Sequence, residues 1–98
     1  MKANTVKYLR KELELEVPKF SKLLGVSPST GYRWELSSEK NLKLAPLQTK
    51  LLQKIQSSLM QKNSEEKKTW RKHLARSLKI GGTLAALAFI LKDMAIED

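Results

Sequence analysis

The residues with most to offer chemically lie close together. Ser27, Ser29, Thr30, Tyr32 and Arg33 occur within one short stretch after Gly25-Val26. They carry hydroxyls, a phenol and a guanidinium, which donate and accept hydrogen bonds. Nothing in the chain completes a nucleophile–base pair, and no Gly-rich loop of phosphate-cradling pattern occurs. His73 is the only histidine, and there are no cysteines. A surface or satisfied interface role is therefore expected for His73, with no metal, no cofactor and no disulfide. The chain is expected to bind rather than to catalyse.

Its charge says what it would bind. Nineteen Lys and Arg face ten Asp and Glu, a net +9 in 98 residues. Such a field attracts polyanions, nucleic acid foremost, although anionic membrane surfaces respond to it too. The length fits one domain or a small domain with an appendage, so oligomerisation would add stability. The start, Met1-Lys2-Ala3-Asn4-Thr5, leads into a charged amphipathic stretch rather than a secretory signal. A cytoplasmic setting is expected.

Helical elements must position the polar stretch. Val6, Leu9 and Leu13 predict a first helix from about Thr5 to Glu14. Pro18 suits the first turn of a second, running to about Leu24 with Phe20, Leu23 and Leu24 inward. Gly25 would end it, Ser27 would cap the next and Pro28 would open it. A third helix, Pro28 to about Leu36, then completes a helix-turn-helix. Pro46 restarts a fourth, with Leu47, Leu51, Leu52, Ile55 and Leu59 on one face. Gln61 to Lys68 is the expected boundary between residues 1–60 and 61–98. Ser64-Glu65-Glu66 would begin a fifth helix, stopped by Gly81-Gly82, and Thr83 would cap a sixth from about Leu84 to Ala95. No strand pattern appears, so the predicted fold class is all-α.

Leu9-Arg10-Lys11-Glu12-Leu13, Phe20 to Ser27, Pro28-Ser29-Thr30 and Arg33-Trp34-Glu35 together resemble the Cro/repressor type of helix-turn-helix, the Xre family. The likeness covers about the first 55 residues. It implies a four-helix DNA-binding domain with the third helix in the major groove. It places Pro28, Ser29, Tyr32 and Arg33 near base edges. Arg33 is the strongest of these, because a guanidinium can donate two bonds to guanine O6 and N7. Ser27 and Thr30 suit phosphate contact or capping, and Lys19, Lys22, Lys40 and Lys43 would neutralise phosphates. It also implies that Arg10 pairs with Glu35 to hold the third helix. The chain departs from the family pattern at Glu16-Val17, Ser21, Gly31 and Leu36-Ser37. Gly31 is expected to leave a gap or to admit a close neighbour.

The run Leu84 to Leu91 is apolar around its whole circumference, so it needs cover. At about a dozen residues it falls below a bilayer span. A homodimer interface is expected, with Trp70, Leu74, Leu78, Leu84, Leu87, Phe89 and Leu91 inside. A symmetric dimer would also read two half-sites of duplex DNA, an inverted repeat bound by a repressor. Two alternatives use the same features. One is an antitoxin or adaptor whose C-terminal helices bind a protein such as a toxin. The other is a basic protein held at a membrane surface.

Overall fold

Short amphipathic helices need one another for burial, and the described residues form five helical elements. The structure, a computed structural model, describes residues 1–96, with side chains described as far as Lys92. The helices are α1 (Ala3–Glu12), α2 (Val17–Leu23), α3 (Pro28–Glu35), α4 (Pro46–Met60) and α5 (Ser64–Ile96). No strand occurs among the described residues. The all-α class expected from periodicity is thus observed. The two helices expected after residue 60 are both present; they follow one another directly as the two parts of α5, separated at Gly82, whose φ 71° and ψ −159° are not helical.

The helix ends follow local chemistry. α1 stops short of Glu14 because Glu14 takes a left-handed conformation, φ 56°. The Leu15 N–H then bonds the Arg10 carbonyl and the Glu14 N–H bonds that of Lys11. This is a Schellman ending with a charged residue where glycine is usual. α5 compensates: Arg71 Nη1 donates to the Glu12 carbonyl at 3.1 Å, and its Nε lies 3.0 Å from Glu14 Oε2. α5 itself starts with a reciprocal cap. Asn63 Oδ1 accepts from the Glu66 N–H at 2.9 Å, and Glu66 Oε1 accepts from the Asn63 N–H at 3.0 Å. The pattern Asn-x-x-Glu carries this signal in the sequence, ahead of the Ser64 start expected there.

One continuous core joins the two halves. Phe20, Leu23, Leu52 and Ile55 are buried with Trp70, Leu74, Leu78, Ala86 and Ile90. The boundary near residue 61 therefore marks a change of element, not of core. It also corrects the expected dimer interface. Trp70, Leu74 and Leu78 are buried within their own chain, only 1–5% exposed. Spacing could show that they share a face, but not that α2 and α4 cover it. Leu87 and Phe89 are partly buried against the same core, and Phe89 sits 5.7 Å from the Trp70 ring. Leu84 and Leu91 remain exposed. Thr83, expected to cap a helix, instead donates its hydroxyl to the Lys22 carbonyl at 2.7 Å, tying the break in α5 to the end of α2.

The Arg71 clamp makes a testable stability claim. Replacing Arg71 by Ala should cost about 1–2 kcal/mol, read by urea unfolding of the helical signal. Adding Glu14→Gly in that background should recover up to about 1 kcal/mol, because glycine has no left-handed penalty. Equal loss with and without the glycine would show that Glu14 is unstrained.

Candidate nucleic-acid interface

The turn between α2 and α3 is built from backbone bonds that the sequence makes possible. Gly25 has φ 73°, a conformation open to it for lack of a Cβ. The Val26 N–H reaches the Ser21 carbonyl at 3.0 Å and the Gly25 N–H reaches Lys22 at 3.1 Å. α2 thus closes with a second Schellman motif. Two residues later Ser27 caps α3, its Oγ accepting from the Thr30 N–H at 3.3 Å. Pro28 follows at the first helical position. Four residues, Leu24 to Ser27, join the two helices, the outer two serving as their caps.

α3 has two distinct faces. Gly31 and Trp34 are buried; Pro28, Ser29, Tyr32 and Arg33 are exposed. Gly31 explains how closely α3 approaches α2. A Cβ placed there would collide with Ser21 Oγ and lie 3.1 Å from Val17 Cγ1. The departure at Gly31 therefore leaves no gap: it admits the neighbouring helix. Ser21 is fully buried, and its hydroxyl has no hydrogen-bond partner.

The far end of α3 is held by charge. Arg10 Nε donates to Glu35 Oε2 at 2.6 Å and Nη2 to Oε1 at 3.0 Å. Nη1 donates to the Leu15 carbonyl at 2.9 Å. The Glu35 hydrogen bonds push the Arg10 pKa above its ordinary value, against a smaller opposing effect of burial. Both side chains are nearly buried, 13% and 10% exposed. The pairing expected of Arg10 and Glu35 is present as a two-pronged contact, a geometry that fixes orientation as well as distance.

The other residues singled out are distributed as follows. Ser27 and Thr30 bond each other at 3.1 Å, and Arg33 Nη2 donates to Thr30 Oγ1 at 3.3 Å. Arg33 thus leans toward the N-terminal end of α3, with donors to spare. Lys40 and Lys43 are exposed on the loop after α3, either side of buried Leu42. That loop is anchored where the Leu42 N–H meets the Met1 carbonyl at 2.8 Å. Lys19 and Lys22 do not gather with these: they line a groove between α2 and α5. His73 is exposed and stacks on Phe89, with ring centres 6.3 Å apart. No cluster of metal-ligating residues occurs among the described residues.

Comparison with family models, curated proteins and solved structures gives no match. What the site can do rests on its own geometry. A rigidly capped helix offers a row of hydrogen-bonding side chains to solvent, backed by a buried ion pair and a close helix contact.

The Gly31 contact can be tested by a double-mutant cycle. Gly31→Ala should cost a net ~1–2 kcal/mol despite the better helix propensity of alanine. Ser21→Ala alone should be neutral or stabilising, since it removes an unpartnered buried hydroxyl. Together they should return to within about 1 kcal/mol of the parent, because the colliding atom is gone. Strict additivity in urea unfolding would rule out the contact as the reason for glycine.

Proposed function

We propose that this protein is an Xre-type, homodimeric regulator of transcription that binds duplex DNA and acts as a repressor at an inverted-repeat operator. The observation that carries the reading is the exposed face of α3. Pro28, Ser29, Tyr32 and Arg33 are exposed, while Gly31 and Trp34 fix the opposite face and Arg10–Glu35 fixes the end. A helix that enters the major groove needs this combination of free side chains and a rigid backing. The net charge of +9 adds the sequence-independent attraction to phosphate. In this reading Arg33 discriminates guanine, Ser29 and Tyr32 contribute neighbouring contacts, and Lys40 and Lys43 meet phosphates.

Dimerisation draws on the part of α5 that its own chain leaves uncovered. Ile80 is 74% exposed, Leu84 80% and Leu91 50%. Residues 84, 88 and 91 follow one helical face after the break. A second copy laid against this face would bury large apolar groups and bring two α3 helices to one duplex. The seat of dimerisation is thus Leu84, Leu91 and Ile80, not Trp70, Leu74 and Leu78.

A membrane reading has one observation in its favour. Ser64–Lys92 is long and apolar enough by length and composition to cross a bilayer, and most of its apolar window is not buried inside the chain. The broken backbone at Gly82 weighs against a span, since hydrocarbon offers no partner for freed peptide groups.

Two measurements test the proposal. Arg33→Ala should lower the ratio of operator to random-DNA affinity by about 1–3 kcal/mol in a mobility shift, with the helical signal unchanged. An unchanged ratio removes Arg33 from base reading. Leu84→Arg with Leu91→Arg should convert the dimer to monomer in light scattering, since both residues are exposed and leave the core intact. A dimer that survives places the interface elsewhere, and tight sedimentation of the parent with anionic vesicles would favour the membrane reading.

A further inference from the structure

The groove between α2 and α5 has a composition that the DNA reading does not use. It encloses about 480 Å³ and is lined by Leu15, Lys19, Lys22, Ala75, Leu78, Arg76 and Lys79. Leu15 and Leu78 are buried and form, with Ala75, an apolar floor. Two lysines of α2 face an arginine and a lysine of α5 across it. No Asp or Glu lines the groove, and none of the four cations takes part in an ion pair among the described residues. Elsewhere on α1 and α5, Arg10, Lys67 and Arg71 each meet a carboxylate.

We propose that this groove is a binding site for a small amphiphilic anion, a carboxylate or phosphate carried on an apolar body. The volume lies within the range of roughly 300–1,000 Å³ typical of small-molecule sites. The floor takes the apolar part, and the cations lining the groove, two from α2 and two from α5, take the charged head. A lining with four cations and no acid is complementary in charge to an anion. A second copy of this chain would be repelled, because it brings the same cations. A DNA backbone would satisfy the rims but offers no apolar body for the floor.

The position also gives the ligand a mechanical consequence. Thr83, one residue beyond the Gly82 break, bonds the carbonyl of Lys22. The groove shares Lys22 with the contact that ties α5 to α2, and α2 meets α3 closely at Ser21 and Gly31. A bound anion clamps α2 to α5 and so stiffens the support of the recognition helix.

Calorimetric titration of the full-length protein with octanoate tests the site, with octanol and inorganic phosphate as comparison probes. Octanoate should bind once per chain, at least roughly fivefold tighter than either comparison. Lys19→Gln with Lys79→Gln should weaken octanoate by a similar factor, while Lys40→Gln with Lys43→Gln should not. Ala75→Trp, which fills the floor without touching a charge, should abolish binding. Octanol binding as well as octanoate would overturn the proposal, as would phosphate doing so, which would mark an adventitious ion only. Equal losses from the two lysine pairs would reduce the effect to the overall field and also overturn it. No DNA enters this measurement, so its outcome is separate from that of the regulator reading.

Discussion

Arg10 is the residue on which the arrangement of the first half depends. Its guanidinium holds three acceptors: both oxygens of Glu35 and the carbonyl of Leu15. It thereby joins α1, the connection leading to α2 and the last residue of α3. Removing either charged partner would leave the other mostly shielded from water, at a cost of about 2–4 kcal/mol. For a small domain that is a large share of the whole margin of stability. A lysine could not replace it, because a single ammonium cannot satisfy a carboxylate on two prongs and a carbonyl as well. The pair sets where α3 ends, and Ser27 sets where it begins, so the exposed face between them has little freedom to rotate.

That constraint at the two ends works only because the middle of α3 can sit close to α2. Here glycine at position 31 acts with serine at 21 to let two backbones approach. The arrangement costs helix propensity and buries a hydroxyl without a partner. Both costs are of the order of 1 kcal/mol, smaller than the packing and ion-pair terms they permit. The chain trades local preference for a fixed helix angle, a conflict between levels more often found near functional surfaces than elsewhere.

Much of this was legible in the sequence. Pro18, Gly25, Ser27, Pro28 and Pro46 punctuate the chain by their own backbone chemistry, so the helices of the first half fall where expected to within a residue or two. The contact between Arg10 and Glu35 came from resemblance, not spacing, since nothing local joins residues so far apart. The C-terminal half was less legible for a physical reason. Trp70, Leu74 and Leu78 mark an apolar stripe, but a stripe is silent about whether its cover comes from the same chain. The structure answers with α2 and α4. Arg71 and Thr83 were missed because each acts on a backbone carbonyl of a distant element, and a carbonyl leaves no trace in residue type. Lys19 and Lys22 read as phosphate neutralisers because helix spacing alone does not say which face of α2 meets α5.

α5 then becomes more than an appendage. Its first part closes the core of the helix-turn-helix half through Trp70, Leu74 and Leu78, while Arg71 stabilises the end of α1. After Gly82 the chain changes direction, and Ala86 and Ile90 turn inward while Leu84 and Leu91 stay out. Without the break a single helical stripe would run the length of α5 and could not serve both surfaces. With it, one element covers its own core, lines a basic groove beside α2 and still leaves Leu84 and Leu91 exposed. Any force applied at that outer face reaches α2 through Thr83 and Lys22, and reaches α3 through the contact at Gly31. The outer part of α5 and the exposed helix are therefore joined through contacts that involve no residue of the exposed helix face itself.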